Sequence, residues 1–320
     1  MDIRQYGLAV HNEPCESFSR LLDRYFAERD AAEHLKRTAN DVIQACGAAE
    51  ARIRRRLSAR QQDMKRCAEK ENYRIFGELL KANLYTVRPG SRAVTVVNYY
   101  DENGGTITIP LDPKLSAVQN AAKYFKEYKK SRTALQLLEE LIAEDGRELD
   151  YLASVRDSIE RCETAADLRE IREELQEAGY LRRSAKKTVS KIRKNIGFRE
   201  FVSPGGFRLL VGRTNQQNDT LTLRVAQKND WWFHVKGGPG SHAVLISDGN
   251  EVPQDDLLMA AQTAAWFSKS AHSSQVAVDY TRIRHVKKPK NAKPGMVIYT
   301  DQHTVFVTPK QPEEPSGGKE

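Results

Sequence analysis

No proline falls between Pro14 and Pro89, so nothing in that long stretch is barred from one continuous helix. Cysteine is scarce. Cys15, Cys46, Cys67 and Cys162 stand singly, with no C-x-x-C pair among them. Neither a zinc site nor a disulfide framework is indicated, and free, packed thiols are expected. No apolar run reaches the ~18 residues of a membrane span. The N-terminus also lacks the apolar core of a signal peptide, so a cytoplasmic protein without a membrane partner is expected. A Gly-Lys-Ser/Thr phosphate loop is missing, as is the Gly-x-Ser-x-Gly frame of a nucleophile elbow. Apolar residues make up only 39% of the chain against 29% charged, a balance that suits a surface-rich, elongated molecule better than a compact globule.

What is present is positive charge. The net charge is +8, which favours a polyanionic partner. Met1 to Val10 reads as a short strand with no partner of its own. From Ser17 to Leu84 a helical pattern dominates, with Leu35, Thr38, Val42, Ala45, Ala49, Ile53, Leu57, Met64 and Cys67 spaced by threes and fours. A stripe that thin demands a partner helix. Residues 84–113 switch to a period of two, with Asn103-Gly104-Gly105 between two β-rich runs, which predicts a β-hairpin. A return helix follows, carrying Val118, Ala122, Phe125, Leu135, Leu138, Ile142, Leu149, Leu152, Val155 and Ile159 on one face. Thr164, three residues before Asp167, reads as the N-cap of a last helix that ends before Gly179.

Residues 16–181 are therefore expected to form a long antiparallel helical coiled-coil hairpin with a small β insertion. Arg52, Arg54, Arg55, Arg56 and Arg60 on the outgoing helix, and Lys126, Lys129 and Lys130 on the return, are expected at comparable heights as one basic belt for phosphates. Residues 182–197 are so rich in Arg and Lys that a mobile polybasic linker is expected. Residues 198–309 alternate short strands and helices, and hairpin signals outnumber crossovers, so a separate, mainly antiparallel α+β domain is predicted. Residues 310–320 read as a disordered tail.

The densest chemistry lies in Asn229 to Ile246, where two tryptophans and two histidines flank Gly237-Gly238-Pro239-Gly240. Glycines there can bring bare amides close to a phosphate, and Trp231, Trp232 or Phe233 can stack on a base. Strand alternation puts Trp231 and Phe233 on one face and Trp232 and His234 on the other, so one pair at most is expected to be exposed. Asp230, His234 and His242 lack the fixed spacing of a metal set, and neither a metal nor a cofactor is expected. A second cluster, from Arg282 to Pro294, reads as a basic loop.

Residues 211–219 (VGRTNQQND), Asp230-Trp231-Trp232-Phe233-His234, Pro239-Gly240-Ser241-His242, Val278-Asp279-Tyr280-Thr281, Val286-Lys287-Lys288-Pro289 and Ala292-Lys293-Pro294-Gly295 occur in the order found in the C-terminal RNA-binding domain of the NFACT family, which this sequence resembles. Asn98-Tyr99-Tyr100-Asp101 and Ile109-Pro110-Leu111-Asp112-Pro113 resemble that family's middle region. The resemblance implies ribosome-associated quality control: binding of the obstructed large ribosomal subunit and its rRNA, with peptidyl-tRNA and alanyl-tRNA as partners and template-free alanine tailing of stalled chains as the outcome. Peptide bond formation would be the ribosome's, so no enzyme is expected. The resemblance implies that the family's N-terminal domain, to which most tRNA recruitment is attributed, lies outside this sequence, with residues 1–15 as its remnant. RNA contacts are expected from Arg213, Asn215, Asn218, Asp230, Trp232, His234, Lys236, Gly240, Ser241 and His242, and from Arg284, Lys287, Lys288, Lys290 and Lys293 in the loop. The protein is read as a monomer. The alternative is a surface adhesin that binds fibronectin.

Overall fold

The computed structural model describes residues 17–182 and 197–313. The expected N-terminal strand, nearly all of the polybasic linker and most of the tail lie outside them. Two compact units result, Ala49–Asp150 and the residues on either side of it in sequence.

In the first unit, the part of helix α1 (Phe18–Glu69) from Ala49 onward breaks at Lys70-Glu71, and a separate helix α2 (Asn72–Ala82) follows. The proline-free stretch thus does not stay one helix to Leu84. Strands β1 (Ala93–Val97) and β2 (Thr106–Pro110) pair antiparallel, Val96 facing Ile107, and carry Val96 and Ile109 onto Leu79 and Leu80 of α2. Helix α3 (Ala117–Glu160) returns beside α1. Cross-helix partners fix the register: Arg56 with Asp145, Arg60 with Leu141, Cys67 with Ser131, Lys70 with Glu127. As the number on α1 rises the partner's falls, which makes the pair antiparallel.

That register corrects one expectation. Arg52 to Arg60 lie opposite the acidic stretch around Asp145, and Lys126 to Lys130 lie opposite the α1 terminus near Lys70. The two basic clusters are separated by several turns instead of forming one belt. Among the described side chains of α1 the buried ones are Ala39, Val42, Cys46, Ala49 and Ile53, while Thr38, Ala45, Leu57, Met64 and Cys67 are part-buried. On α3, Ala121 takes the buried position expected of Ala122, and Val118 is exposed.

In the second unit, helix α4 (Ala165–Glu177) is capped by Thr164, whose hydroxyl accepts the Asp167 N–H at 3.1 Å. Gly179, at φ +82°, ends it. Tyr151, Leu152, Val155 and Ile159 of α3 and Leu168, Ile171 and Leu175 of α4 are buried here together with Val42 and Cys46 of α1. Then come β3 (Arg199–Val202), β4 (Arg208–Val211), α5 (Asn215–Thr220), a π turn (Leu221–Val225), β5 (Trp231–Val235), β6 (Ala243–Leu245), α6 (Gln254–Trp266), β7 (Val276–Arg282), β8 (Val286–Lys287), β9 (Ile298–Tyr299) and β10 (His303–Val307). Six strands form one sheet in the order β10-β7-β5-β6-β4-β3, and every pair in it is antiparallel.

Because side chains alternate across a strand, the sheet has two apolar faces. Phe233, Val235, Leu209, Val211 and Val278 pack with the alanines of α6, while Trp232, Leu210 and Val244 pack with Leu221, Ile283 and Val286. Small residues Ala260, Ala261, Ala264 and Ala265 let α6 lie close to the strands. Among the described residues no helix is long and apolar enough to cross a membrane.

Candidate nucleic-acid interface

The corner built from β5, β6 and α5 is the chemistry-rich stretch. Trp232, directly across from Val244, has no exposed surface. Burial of that large ring explains why the stretch is so aromatic, and it leaves Trp232 no face for a base. His242 is also buried. Its Nδ1 lies 2.7 Å from Thr222 Oγ1, and its backbone N–H donates to Asn218 Oδ1 at 3.1 Å. The π turn positions Thr222 for this contact, since the Ala226 N–H reaches back to the Leu221 carbonyl. His234 stacks on Trp232 with 5.7 Å between ring centroids, and its ring meets His242 edge to face at 5.4 Å. Burial pushes the His234 pKa down to about 4 and holds His242 well below its usual range, with His234 adding to the effect on His242. Both rings are neutral near neutrality.

Asp230 is equally internal. It accepts the Gln227 N–H at 2.7 Å and the Ser247 N–H at 2.8 Å, so it clamps the entry to β5. Ser241 is buried and spends its N–H on the Phe267 carbonyl. Gly240 is needed for packing, because a Cβ there would sit 3.0 Å from Ser268 Cβ and Val235 Cγ1. Gly237 and Gly238 open outward, with Gly237 at φ +68°. Beside them Lys236 is exposed, although its ammonium lies 3.1 Å from Thr304 Oγ1 and 3.5 Å from Asp279.

Arg213 and Asn215 point elsewhere. Arg213 Nη1 bonds Glu163 at 3.0 Å, and Asn215 Nδ2 donates to Ser154 Oγ at 3.0 Å and Glu174 Oε1 at 3.2 Å. Thr214 and Gln217 both donate to Glu170. These motif residues fasten α5 to α3 and α4. Most of the expected motif contacts are therefore structural in this conformation: a polar group taken out of water must be hydrogen-bonded, and these side chains meet that demand for one another.

The basic loop divides similarly. Lys288 pairs with Asp219, and Lys293 lies over the Tyr151 and Tyr180 rings at 5.8 and 5.5 Å. Gly295 N–H donates to Asp219 at 3.0 Å, pinning the far end of the loop. Arg284, Lys287 and Lys290 remain exposed, with no carboxylate partner among the described residues. In the first unit Arg56 and Arg60 are held by Asp145 and Glu148. Arg52, Arg54, Arg55, Lys126, Lys129 and Lys130 are exposed and have no such partner among the described residues.

A further set of side chains was missed. Lys228 and Arg224 are exposed beside the π turn, and Arg282 lies across from Trp231 on the neighbouring strand. A shallow hollow of about 490 Å³, lined by residues 226–230 with Asp248 and Gly249, adjoins them. The signal was the length of β7: a strand that continues past Val278 to Arg282 brings this arginine into register with β5. Among the described residues no group of three His, Cys, Asp or Glu side chains is arranged to hold a metal ion.

Residues 2–194 match the family described as NFACT N-terminal and middle domains, and residues 197–301 match the NFACT protein RNA binding domain. The Rqc2 homolog RqcH of Bacillus subtilis (strain 168) is 39% identical over 297 residues, covering 92% of this chain and 51% of that protein. The Rqc2 homolog RqcH of Streptococcus suis (strain 05ZYH33) is 38% identical over 308 residues, covering 96% of this chain and 54% of its own. The chain thus spans about half the length of the curated relatives it matches. A solved structure described as the C-terminal of the fibronectin/fibrinogen-binding protein from Streptococcus suis aligns with a TM-score of 0.66 at 32% identity, over 87% of this chain and 96% of that one.

Proposed function

The chain belongs to the NFACT family, and on that premise we propose that it works in ribosome-associated quality control as an RNA-binding factor without catalysis of its own. The observation that carries this reading is a division of charge. Cations that are buried or part-buried, such as Arg199 and Arg213, are matched by carboxylates, while Arg52, Arg54, Arg55, Lys126, Lys129, Lys130, Arg284, Lys287 and Lys290 stand exposed without a carboxylate partner among the described residues. A surface of that kind suits the phosphates of a large folded RNA, whose condensed counterions are released on contact.

In this reading the helical pair docks on rRNA of the obstructed large ribosomal subunit, and residues 198–309 engage RNA there. The whole protein supports template-free addition of alanine to stalled chains, with peptidyl-tRNA and alanyl-tRNA as substrates that it positions. It acts as a cytoplasmic monomer. Co-sedimentation with purified large subunits is the test. The chain is expected in the subunit peak at low salt and to leave it as salt rises; absence from that peak at every salt concentration would end the reading.

The name of the Streptococcus suis structure favours a second function, binding of fibronectin or fibrinogen. A relative from the same species carries a quality-control name. Immobilised fibronectin retaining the chain at physiological salt, with no subunit binding, would favour the adhesin.

A further inference from the structure

The proposal that residues 198–309 engage RNA leaves open where a base would be held, since Trp232 is sealed inside. Trp231, on the opposite face of β5, is only half-buried. Its cross-strand neighbour on β7 is Arg282, and the guanidinium carbon lies 3.8 Å from the centre of the indole ring. That cation-π contact is not a neutralised pair. The polar partner of the Arg282 guanidinium is the carbonyl of Asn229, and no carboxylate lies within ion-pair distance of it among the described residues. The row continues sideways. Tyr280 lies 5.6 Å from Trp231, and His303, its register partner on β10, lies 5.3 Å beyond.

Three neighbouring strands thus contribute a row of planar groups, from Arg282 through Trp231 and Tyr280 to the exposed ring of His303. Two backbone hydrogen bonds, Ile283 N–H to the Asp230 carbonyl at 3.0 Å and Arg284 N–H to the Lys228 carbonyl at 3.2 Å, bring the cations Lys228 and Arg284 to the Arg282 end. Both are exposed. Flat faces spaced along a sheet, with unmatched positive charge at one end, present what an unpaired nucleotide needs: a surface for the base and a counter-charge for its phosphate. A guanidinium already held against an indole loses little freedom when a base stacks on its outer side.

We propose that the Arg282–Trp231–Tyr280–His303 row is a stacking platform for unpaired bases of single-stranded RNA, with Lys228 and Arg284 taking the adjoining phosphates. It rests on the RNA-binding reading above and adds the place and the kind of nucleotide. Duplex RNA, whose bases are stacked inside the helix, does not use it.

The test compares a short oligouridine with an abasic ribose-phosphate strand of equal length by fluorescence anisotropy. The wild-type chain is expected to bind oligouridine more tightly than the abasic strand. Arg282→Lys keeps the charge and removes the plane. It should weaken oligouridine binding about tenfold and leave the abasic strand unchanged. His303→Ala, at the exposed end, should have the same sense with a smaller effect, and both variants should melt as the wild type does. Equal binding of the two strands by the wild type, or full rescue by Arg282→Lys, would overturn the platform while leaving RNA binding intact. Failure of the wild type to bind either strand would remove both. An acidic aromatic peptide competing as well as oligouridine would reassign the row to a protein partner.

Discussion

The Tyr151 hydroxyl donates a 2.7 Å hydrogen bond to Glu174 Oε1, joining α3 to α4 at a point where both side chains are buried. Asn215 of α5 donates to the same oxygen, so one carboxylate ties three helices. Burial drives its pKa up to about 7, although the bonds from Tyr151 and Asn215 favour the charged form; Glu170 and Asp219 add to the rise. Opposing positive charge is modest, with Lys293 over the Tyr151 ring and Lys288 already paired with Asp219.

The sign of the pH effect follows from that raised value. A carboxyl whose pKa is higher folded than unfolded costs nothing below its unfolded value, near 4.5. Its ionisation becomes a penalty as pH rises toward 7, on the order of 3 kcal/mol once complete. Glu174→Gln should therefore flatten the loss of stability across this window and be more stable than wild type at pH 8, in urea melts followed by circular dichroism. His234 and Asp157 titrate in overlapping ranges, so the wild-type minus variant difference is the quantity to read. Identical curves for the two proteins would refute the assignment.

Gly212 is the tightest steric point of the corner. A Cβ there would lie 2.2 Å from Asn218 Oδ1 and 3.0 Å from the Asn218 backbone nitrogen. Asn218 is the acceptor for the His242 N–H, so it cannot move freely. Gly212→Ala should destabilise the sheet unit by roughly 1–3 kcal/mol. Thermal melting would show it, and an unshifted midpoint would mean that Asn218 swings clear at no cost.

Asp145 has no exposed surface and faces two arginines, Arg56 at 2.5 Å and Arg60 at 2.7 Å. Its replacement by leucine leaves Arg60 without a carboxylate among the described residues and Arg56 with Glu148 alone. Asp145→Leu should cost roughly 2–4 kcal/mol. The partly exposed partner Glu148 should matter much less, below about 1 kcal/mol in Glu148→Gln. Hydrogen exchange over α1 and α3 would rank the two, and equal protection in both variants would count against a central place for Asp145.

Exposed and matched arginines should separate in subunit binding. Changing Arg52, Arg54 and Arg55 together to glutamine should reduce the slope of log affinity against log salt by up to about 3, with folding unaffected. Arg56→Gln should instead lower stability and leave the slope nearly unchanged. A slope indifferent to the triple change would place the contact with RNA elsewhere.

The sequence made the large elements readable. Periods of three to four and of two separated α1 and α3 from β1 and β2, and Thr164 and Gly179 marked the ends of α4 through local hydrogen bonds and backbone freedom. The register between α1 and α3 was not readable, because a basic stretch has no preferred height until its acidic partners, here Asp145 and Glu148, are placed opposite. Trp232, His242 and Asp230 carried a signal for importance but not for exposure: a buried polar cluster and a ligand-binding one use the same residue types. Arg282 was legible only as the start of a basic loop, since its pairing with Trp231 depends on where β7 stops.

Because cross-helix partners between Arg56 and Lys70 on α1 and between Glu127 and Asp145 on α3 keep nearly constant summed numbers, the two helices are coupled in length. An inserted turn in one shifts every later partner by a turn unless the other gains the same. Natural variation in the reach of this rod should therefore arise as matched pairs of insertions or deletions, and relatives with arms of different span should differ by equal amounts on the way out and on the way back.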